Sequence, residues 1–461
     1  AARFTHIGIK GADRLGTVVR APGVTLENLI FVNLDPDLNS EGIATALLII
    51  APNCTVRNCV ISSYEASPGD FIGCAVADLD LIVGGSTPTN VVFESCLFGT
   101  NKYGLASSWW IAPGIPPQIQ IKNSKFMGNT SSGLEMDSGI VQIVNSEFID
   151  NPGNAIDVGG GQAQVISSIF KSNGKGGAPT IELDLDPRWD DVAQAPIPGK
   201  IPPGSIELIG CKFSENSISG SPVARIHEGS LKADHCIFTK NFGPVILLDD
   251  GGEPQAPAQG FIDHCDIYGS EQSPEIKLEH SGGTQQIALI IKNSILSTGS
   301  LWDGFFLVES SLPDLSKIEL SWSALFEPAI IQSPLPGQNN KLFPTEQPPY
   351  VSTNIDDPNG FTLMASSPLR TAGENGTYLG SNGAQIPVII EPFPISIVIE
   401  NKKPKLSWYS LKGVTYTVET TPNLTNPNWT AIATLQGTGA ILNWEDSQAA
   451  NSRFYRIRAS K

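Results

Sequence analysis

The sequence predicts an all-β fold of stacked parallel strands, mainly because one short phrase is repeated. Between residues 24 and 330 the chain repeats a strand, a small residue, a large apolar residue and then Asn about ten times. Most steps between successive large apolar positions are 22 to 30 residues, a spacing typical of repeat architectures. A unit this small cannot bury its own apolar face, so the units have to stack. The large apolar positions are Phe31, Ile61, Phe98, Phe126, Phe148, Phe170, Phe213, Phe238, Ile267 and Leu296.

Each repeat unit, called a rung below, is predicted to consist of short strands joined by tight bends. Apolar and polar residues alternate in segments such as IQIKN at 119–123, which is strand periodicity, and no segment keeps a 3.6-residue rhythm for long. A column of stacked Phe side chains would bury the inner face that a parallel sheet requires. The Asn that follows each large position suits a repeated bend, because Asn tolerates left-handed backbone and bonds neighbouring amides. It recurs at Asn101, Asn129, Asn151, Asn173, Asn216 and Asn241.

The phrase N-S/C-x-F-x-x-N resembles the right-handed parallel β-helix family, the pectate-lyase-like superfamily. The resemblance covers about two-thirds of the chain and implies a right-handed parallel β-helix. It does not imply one function, because this superfamily includes lyases, hydrolases, esterases, adhesins and phage fibres. The Arg-bearing strand patterns of pectate lyases are missing here, as is the NTD, DD, GHG and RIK set of polygalacturonase relatives.

Five of the seven cysteines share one position of the repeat, two or three residues before the large apolar residue. Other rungs carry Ser there, at Ser124, Ser146, Ser168 and Ser294. A slot shared by Cys and Ser is predicted to be a small interior position, since free Cys packs as a small hydrophobe. Disulfides or a zinc site are the alternatives, and no CxxC spacing supports the metal. The five are Cys59, Cys96, Cys211, Cys236 and Cys265.

The overall charge limits the partners. A net charge of −17 and a pI of about 4.7 argue against nucleic acid and anionic membranes as partners. No stretch approaches the roughly 20 apolar residues that a membrane span needs. Together with the resemblance, this predicts a bacterial-type protein that is secreted or displayed on a cell surface.

A second strand in each rung carries acidic residues that are predicted to form two columns. Aligning the strands that begin near 133, 155, 180 and 224 places Glu135, Asp157, Glu182 and Arg225 at one outward position. Neighbouring strands lie about 4.8 Å apart, and like charges directly opposite one another destabilise a sheet. The accumulation of carboxylates therefore calls for a bound cation, shared protons or full solvation. The second column, two residues further on, contains Asp137, Asp184 and His227.

Insertions suggest where a ligand would bind. Long Pro-rich segments follow this strand at 109–117 and 186–204, but the rungs of Glu135 and Asp157 have only short links. The sequence therefore predicts an acidic notch between two walls. Tryptophan beside carboxylates is a typical arrangement for sugar binding, with the ring against the C–H face of the sugar and acceptors for its hydroxyls. The wall residues predicted to bind the ligand are Trp109, Trp110, Arg188 and Trp189, with Arg225 beside them.

Three interpretations of the notch remain open. Paired carboxylates are the acid and base of glycoside cleavage, so Glu135, Asp137, Asp157, Glu182 and Asp184 are catalytic candidates. His227 is a further candidate, as a base, and a surface histidine is the alternative. The same oxygens suit calcium, and a solvated acidic stripe would have no specific role. If the protein is an enzyme, it is predicted to be a glycoside hydrolase or a polysaccharide lyase, and no metal ligand set is assigned.

The repeat decays after about residue 300, which indicates a second domain. The segment FTLMASSPLRTAGENGTYLGSNGA at 361–384 resembles the closing segment of secreted bacterial β-helix proteins. We expect the β-helix with its closing segment to span 1–385 and a small β-sandwich-like accessory module to span 386–461. In that module Trp408, Trp429, Trp444, Phe454 and Tyr455 are predicted to form the core.

Two classes of function follow from the sequence. In the first, an extracellular β-helix binds or processes a polysaccharide or cell-surface glycan in the notch. A neutral glycan fits better than an acidic one, because an acidic notch repels an acidic chain. In the second, a structural surface or filament protein self-associates through its N-terminal rung or its C-terminal module, since an open first rung exposes unpaired strand edges.

Overall fold

The computed structural model divides into two compact units, Ala1–Gln385 and Ile386–Lys461. The described residues are 2–6, 14–33, 44–63, 71–76, 88–107, 116–184, 189–190, 195–196, 203–218, 220–250, 257–269, 275–282, 286–297, 308–312, 314–326, 337–343, 347–383, 396–400, 403–410, 415–423, 429–437, 441–446 and 453–460.

The first unit is a right-handed parallel β-helix, which confirms the predicted fold. From β1 to β35 the rungs place their strands in three parallel sheets, in the chain order A, B, C, and β36 and β37 extend sheet A alone among the described residues. Sheet A contains β1 (Ala2–His6), β4 (Leu29–Asn33), β7 (Val60–Ser63), β10 (Leu97–Gly99), β13 (Lys125–Met127), β16 (Glu147–Ile149), β19 (Ile169–Lys171), β24 (Lys212–Ser214), β27 (Ile237–Thr239), β30 (Asp266–Tyr268), β33 (Ile295–Ser297), β36 (Ala324–Phe326) and β37 (Lys341–Phe343). Sheet B contains β2 (Arg14–Val19), β5 (Ala44–Ile49), β8 (Phe71–Val76), β11 (Tyr103–Ser107), β14 (Ser132–Met136), β17 (Asn154–Val158), β20 (Ile181–Leu183), β25 (Ala224–Ile226), β28 (Ile246–Asp249), β31 (Ile276–Glu279) and β34 (Val308–Ser310). Sheet C contains β3 (Thr25–Glu27), β6 (Thr55–Arg57), β9 (Val91–Glu94), β12 (Gln118–Lys122), β15 (Ile140–Val144), β18 (Gln162–Ile166), β23 (Ser205–Ile209), β26 (Gly229–Asp234), β29 (Ala258–Asp263), β32 (Ile287–Lys292) and β35 (Ile318–Ser321).

The large apolar positions form the predicted column inside the β-helix. Strand pairing puts all ten in one register of sheet A, and the rings from Phe98 to Phe238 stack with centroids 4.4 to 4.9 Å apart. The rings are parallel because successive rungs repeat the same backbone geometry. This stack joins apolar residues of sheets B and C in one continuous core.

Asn side chains make the second ladder, with one difference from the prediction. Oδ1 of Asn151 accepts bonds from the backbone N and from Nδ2 of Asn129, both at 2.9 Å. Its own Nδ2 donates to the carbonyl of Phe126 at 3.1 Å. The left-handed conformation falls one residue earlier, at Gly128 (φ 69°) and Asp150 (φ 52°). The Asn column therefore satisfies buried backbone groups, and the preceding residue makes the bend.

The shared Cys and Ser slot is interior, as predicted, and all seven cysteines are buried and free. The side chains in this slot form a third ladder, in which a side chain accepts a hydrogen bond from the backbone N–H of the slot residue in the preceding rung. The backbone N of Cys96 donates to Oγ of Ser124 at 3.1 Å, and that of Ser124 donates to Oγ of Ser146 at 3.2 Å. A small side chain is needed here because it fits beneath the next rung and still reaches the backbone.

Residues 347–383 lie along the outer face of sheet A; they include residues 361–383 of the predicted closing segment and are called the closing segment from here on. The segment contains two 3-10 helices, Pro368–Thr371 and Glu374–Gly376. Its Phe361, Leu369 and Leu379 pack with Ile237 and Ile295, which sheet A presents outward. The sequence predicted only that this segment ends the repeat. In the structure it also covers the sheet A side of several rungs.

Asp266 connects the closing segment to sheet A. Its buried carboxylate accepts bonds from the Tyr350 hydroxyl at 2.5 Å and from the backbone N of Ser381 at 2.8 Å, and it also contacts Oγ of Ser381. Burial raises the pKa of Asp266 to about 7, although the bonds from Ser381 and Tyr350 oppose the shift. The carboxyl is thus harder to ionise in the folded protein than in the unfolded chain.

Stability is therefore expected to fall as the pH rises. A group whose folded pKa is raised contributes stability that is present below its unfolded pKa of 3.8 and is lost as the pH passes through about 7. We expect the thermal unfolding midpoint of the native protein to decrease between pH 5 and pH 8 more than that of Asp266→Asn. Thermal scans of both proteins across this range measure the difference. Parallel curves for the two proteins would contradict the assignment.

The second unit consists of two three-stranded antiparallel sheets. One contains β38 (Ser396–Glu400), β39 (Lys403–Tyr409) and β42 (Ile441–Glu445), and the other contains β40 (Thr415–Thr421), β41 (Thr430–Gln436) and β43 (Phe454–Ser460). Trp408 is buried in the core as predicted, but Phe454 is 42% exposed and is no core residue. The Arg456 guanidinium lies 4.5 Å from the centre of the Trp429 ring, a cation–π contact.

Within the described residues, no helix has both the length and the apolar character that a membrane crossing requires.

Candidate functional site

The outer face of sheet B carries the predicted column of charged residues. Strand pairing places Glu135 beside Asp157, Asp157 beside Glu182 and Glu182 beside Arg225. The predicted register is therefore confirmed, and it continues through Leu247 to Lys277. Three carboxyl groups consequently stand on consecutive strands, at the strand spacing of about 4.8 Å.

The turns that follow the strands of Glu135 and Asp157 are short, so they do not cover this face of sheet B. Sheets B and C are joined there by only three residues, 137–139 and 159–161. Gly161 has φ 82°, and a Cβ atom on it would lie 2.5 Å from the carbonyl oxygen of Gly139. The turn therefore requires glycine. Access to the two carboxyl groups follows from this local geometry.

An ion-pair network lies next to Glu182, on the rungs that follow the three carboxyl groups in the sequence. Arg225 lies 3.7 Å from Oε1 of Glu182 and 3.4 Å from Oδ2 of Asp249, and it also contacts Nε2 of His227. Nδ1 of His227 lies 2.7 Å from Oδ1 of Asp249. That hydrogen bond raises the pKa of His227 and outweighs burial, which lowers it. The predicted residues Arg225 and His227 therefore belong to one network, anchored on the buried Asp249.

Uncharged side chains fix the orientation of two of the carboxyl groups. The Ser132 hydroxyl donates to Oε2 of Glu135 at 2.6 Å, and Nδ2 of Asn154 donates to Oε2 of Glu182 at 3.0 Å. Ser132 and Asn154 are themselves register partners at the start of their strands. Neither residue was predicted from the sequence. A sequence signal was available: Ser132 and Asn154 each lie three positions before an outward carboxylate, Glu135 and Asp157 respectively.

Protonation differs along the column. Burial, followed by the charges of Glu135 and Glu182, raises the pKa of Asp157 well above its usual range. Burial and the charge of Glu182 also raise the pKa of Asp184, while His227 opposes the shift. Asp157 is thus a carboxyl group that tends to keep its proton beside carboxylates, which is the arrangement that an acid and base pair needs.

Further buried acids surround the site: Asp249, which the alignment of strands also places in the second column, and Glu228 and Glu275, which were not predicted. Glu228 is 4% exposed and forms a hydrogen bond with Asp184. Asp249 is 1% exposed, and Glu275 is 1% exposed on the next rung. Burial of so many carboxyl groups is costly unless each is paired or protonated. This side of the β-helix is therefore built around acidic groups and is not a solvated stripe alone.

The walls of the predicted notch lie mostly outside the described residues. Trp109, Trp110 and Arg188 are not among them. Trp189 belongs to β21 (Trp189–Asp190), which pairs antiparallel with β22 (Ala195–Pro196), and only its backbone is described. Asp137 lies on the short link after β14 and is half-buried. The aromatic walls stay a prediction.

No family model matches the chain, and no curated protein matches it. Among solved structures, the tailspike protein of E. coli bacteriophage HK620 in complex with a pentasaccharide aligns over 100% of this chain and 85% of its own, with 10% identity and a TM-score of 0.38. Tailspike protein 2 of the E. coli O157:H7 bacteriophage CAB120 aligns over 95% of this chain and 62% of its own, with 9% identity and a TM-score of 0.36. The chemistry of the site therefore has to be inferred from its own side chains.

Proposed function

We propose that this protein binds a neutral polysaccharide on the outer face of sheet B and hydrolyses it at Glu135, Asp157 and Glu182. One observation carries the proposal: the raised pKa of Asp157, which lies between two other carboxyl groups on neighbouring strands. Ionisable groups with pKa values shifted by burial and by like charges are concentrated at functional sites. A merely structural sheet face has no need of this arrangement, which costs stability.

The proposed reaction uses Asp157 in its protonated form and a neighbouring carboxyl group in its ionised form. Asp157 would donate its proton to the glycosidic oxygen, and the leaving sugar would depart with it. A neighbouring carboxylate, from Glu135 or Glu182, would attack the anomeric carbon, and water would then release the sugar. The strand spacing of about 4.8 Å is close to the carboxyl separation of about 5–5.5 Å in retaining glycosidases, so retention is the expected outcome. A hydrolase is favoured over a lyase, because lyase substrates are acidic and the site repels them.

Other parts of the proposal rest on the sequence. Trp109, Trp110 and Trp189 would provide aromatic platforms, with Arg188 beside them. Calcium is the alternative ligand for the same oxygens, and a secreted or cell-surface protein is the expected context for a glycan partner. Self-association through the N-terminal rung or the C-terminal module stays a prediction, which light scattering at micromolar concentration tests.

A glycan panel tests the proposed function. The full chain is incubated with neutral and acidic polysaccharides, and binding is measured by calorimetry and cleavage by new reducing ends. We expect binding and cleavage of at least one neutral glycan, with both lost in Glu135→Gln/Asp157→Asn. Adding calcium or a chelator shows whether an ion takes part.

The matched control is Glu147→Gln. Glu147 is a half-exposed carboxylate on sheet A, in the strand that precedes that of Asp157, and it pairs with Lys125 at 3.3 Å. This variant should retain full activity. Unchanged binding and cleavage in Glu135→Gln/Asp157→Asn would overturn the assignment of the site.

A further inference from the structure

A tripeptide, Asp-His-Cys, occurs twice, at 234–236 and at 263–265, on consecutive rungs. Strand pairing places Asp234 directly beside Asp263, at the ends of β26 and β29. His235 and His264 follow at the next position, both with left-handed backbone, at φ 55° and 47°. The cysteines point into the core, so the two Asp–His pairs are stacked on the outside of the β-helix, away from the outer face of sheet B.

The two imidazole rings are held parallel. Their centroids are 5.0 Å apart with an interplanar angle of 9°. Nδ1 of His235 lies 2.5 Å from Asp234, and Nδ1 of His264 lies 3.0 Å from Asp263. Each ring therefore has the carboxylate of its own rung beside Nδ1. A carboxylate beside one ring nitrogen is common around metal-binding histidines.

The closing segment covers the pair of rings with Tyr378. Its hydroxyl lies 2.6 Å from Nε2 of His235, and its ring makes edge contacts with both imidazoles. The side chain of His235 is 8% exposed and that of His264 is 14% exposed. The cluster is therefore a nearly enclosed set of nitrogen and oxygen donors with two carboxylates among them.

We propose that Asp234, His235 and His264 bind a divalent transition metal of the zinc class. One ligand atom from each of these residues lies within 4.8 Å of the others. Two imidazoles and a carboxylate form a ligand set that zinc accepts in tetrahedral sites, with bonds of about 2.0–2.2 Å. Ligand atoms at that bond length lie roughly 3.4 Å apart, so rotation of the side chains has to bring them closer by at most about 1.4 Å.

Metal binding here would cross-link two successive rungs of the β-helix. All three ligands lie on these rungs, and Tyr378 of the closing segment covers them. Any ligand that binds only the folded state stabilises it in proportion to its occupancy. The structural role of this metal is separate from glycan chemistry on sheet B.

Zinc calorimetry on the untagged full chain tests the proposal. After chelator treatment and dialysis, we expect one Zn²⁺ to bind per chain and the thermal unfolding midpoint to rise. His264→Asn and His235→Asn should each weaken binding by at least about 100-fold. Asn is compatible with the fold because Asn293 occupies the same register on the next rung, at φ 49°.

Two controls make the result specific. His280→Asn removes a histidine that also pairs with an aspartate, Asp250, at 2.5 Å but lies outside the cluster. Cys236→Ser/Cys265→Ser tests the thiols, and Ser294 shows that serine fits this slot. Both controls should bind zinc like the native protein.

Three results would overturn the proposal: no zinc binding by the native chain, unchanged affinity in His264→Asn, or loss of binding in the Cys variant. Should His235→Asn fail to fold, His264→Asn alone decides the question. Because none of these measurements uses a glycan, failure of the metal proposal and failure of the proposed glycan function are distinguishable.

Discussion

Asp157→Asn is expected to slow glycan hydrolysis by about 10²–10⁴-fold, the usual contribution of a general acid. The carboxamide keeps the size of the side chain but has no proton to donate to the leaving oxygen. The same variant is expected to raise the thermal unfolding midpoint near neutral pH. Burial and two neighbouring carboxyl groups disfavour the charged form of Asp157, and Asn removes that cost.

The pH dependence has a defined sign. Since the folded pKa of Asp157 is raised above 3.8, its proton is present at low pH and is lost as the pH rises through the folded value. Hydrolysis should therefore decline on the alkaline side, and the stability advantage of Asp157→Asn should grow with pH. Initial rates and thermal scans at several pH values measure both effects. A variant that is stabilised but hydrolyses at the native rate would show that the carboxyl cluster has no catalytic role.

The β-helix was predictable because its determinants lie in one repeated phrase. Phe126 and Phe148 sit at the same phase of successive rungs, and parallel pairing in register follows directly from that phase. The same alignment gave the order of Glu135, Asp157 and Glu182 on sheet B. A side chain whose position depends only on its place in the repeat can be located without coordinates.

The parts that were missed depend on contacts between distant segments. Nothing near Asp266 indicates that Tyr350 and Ser381 will enclose it, because the closing segment has no period. The burial of Glu228 likewise results from the packing of neighbouring rungs. The repeated Asp-His-Cys tripeptide is visible in the sequence, but its two imidazoles are covered by Tyr378, which is distant in sequence.

The bend after each sheet A strand shows that residue type alone does not predict which residue adopts the left-handed conformation. Asn at 129 and 151 was correctly predicted to bond neighbouring amides, yet the left-handed residue is the one before it. Both roles suit Asn, and only the backbone path decides which one is used. Composition at a turn therefore predicts that a bend exists more reliably than it predicts which residue makes it.

Phe170→Ala is expected to destabilise the β-helix by about 3–5 kcal/mol, the range for removing a buried aromatic ring. Phe170 is fully buried, and its ring stacks on Phe148 at 4.9 Å and on Phe213 at 4.4 Å. Rigid backbone ladders on both sides prevent the neighbouring rungs from collapsing into the space, so the cavity persists.

The adjacent residue provides the matched control. Ile169 lies on the same strand, β19, but points outward and is 40% exposed. Ile169→Ala is expected to cost no more than about 0.5 kcal/mol, the usual effect of a surface substitution. Urea unfolding of the two full-length variants, followed by circular dichroism, compares them under identical conditions. Equal losses would mean that strand propensity at this rung, and not the aromatic stack, holds the β-helix together. A loss confined to Phe170→Ala would identify the stack as the main source of cohesion between rungs, since a solenoid is only as stable as the contacts between neighbours.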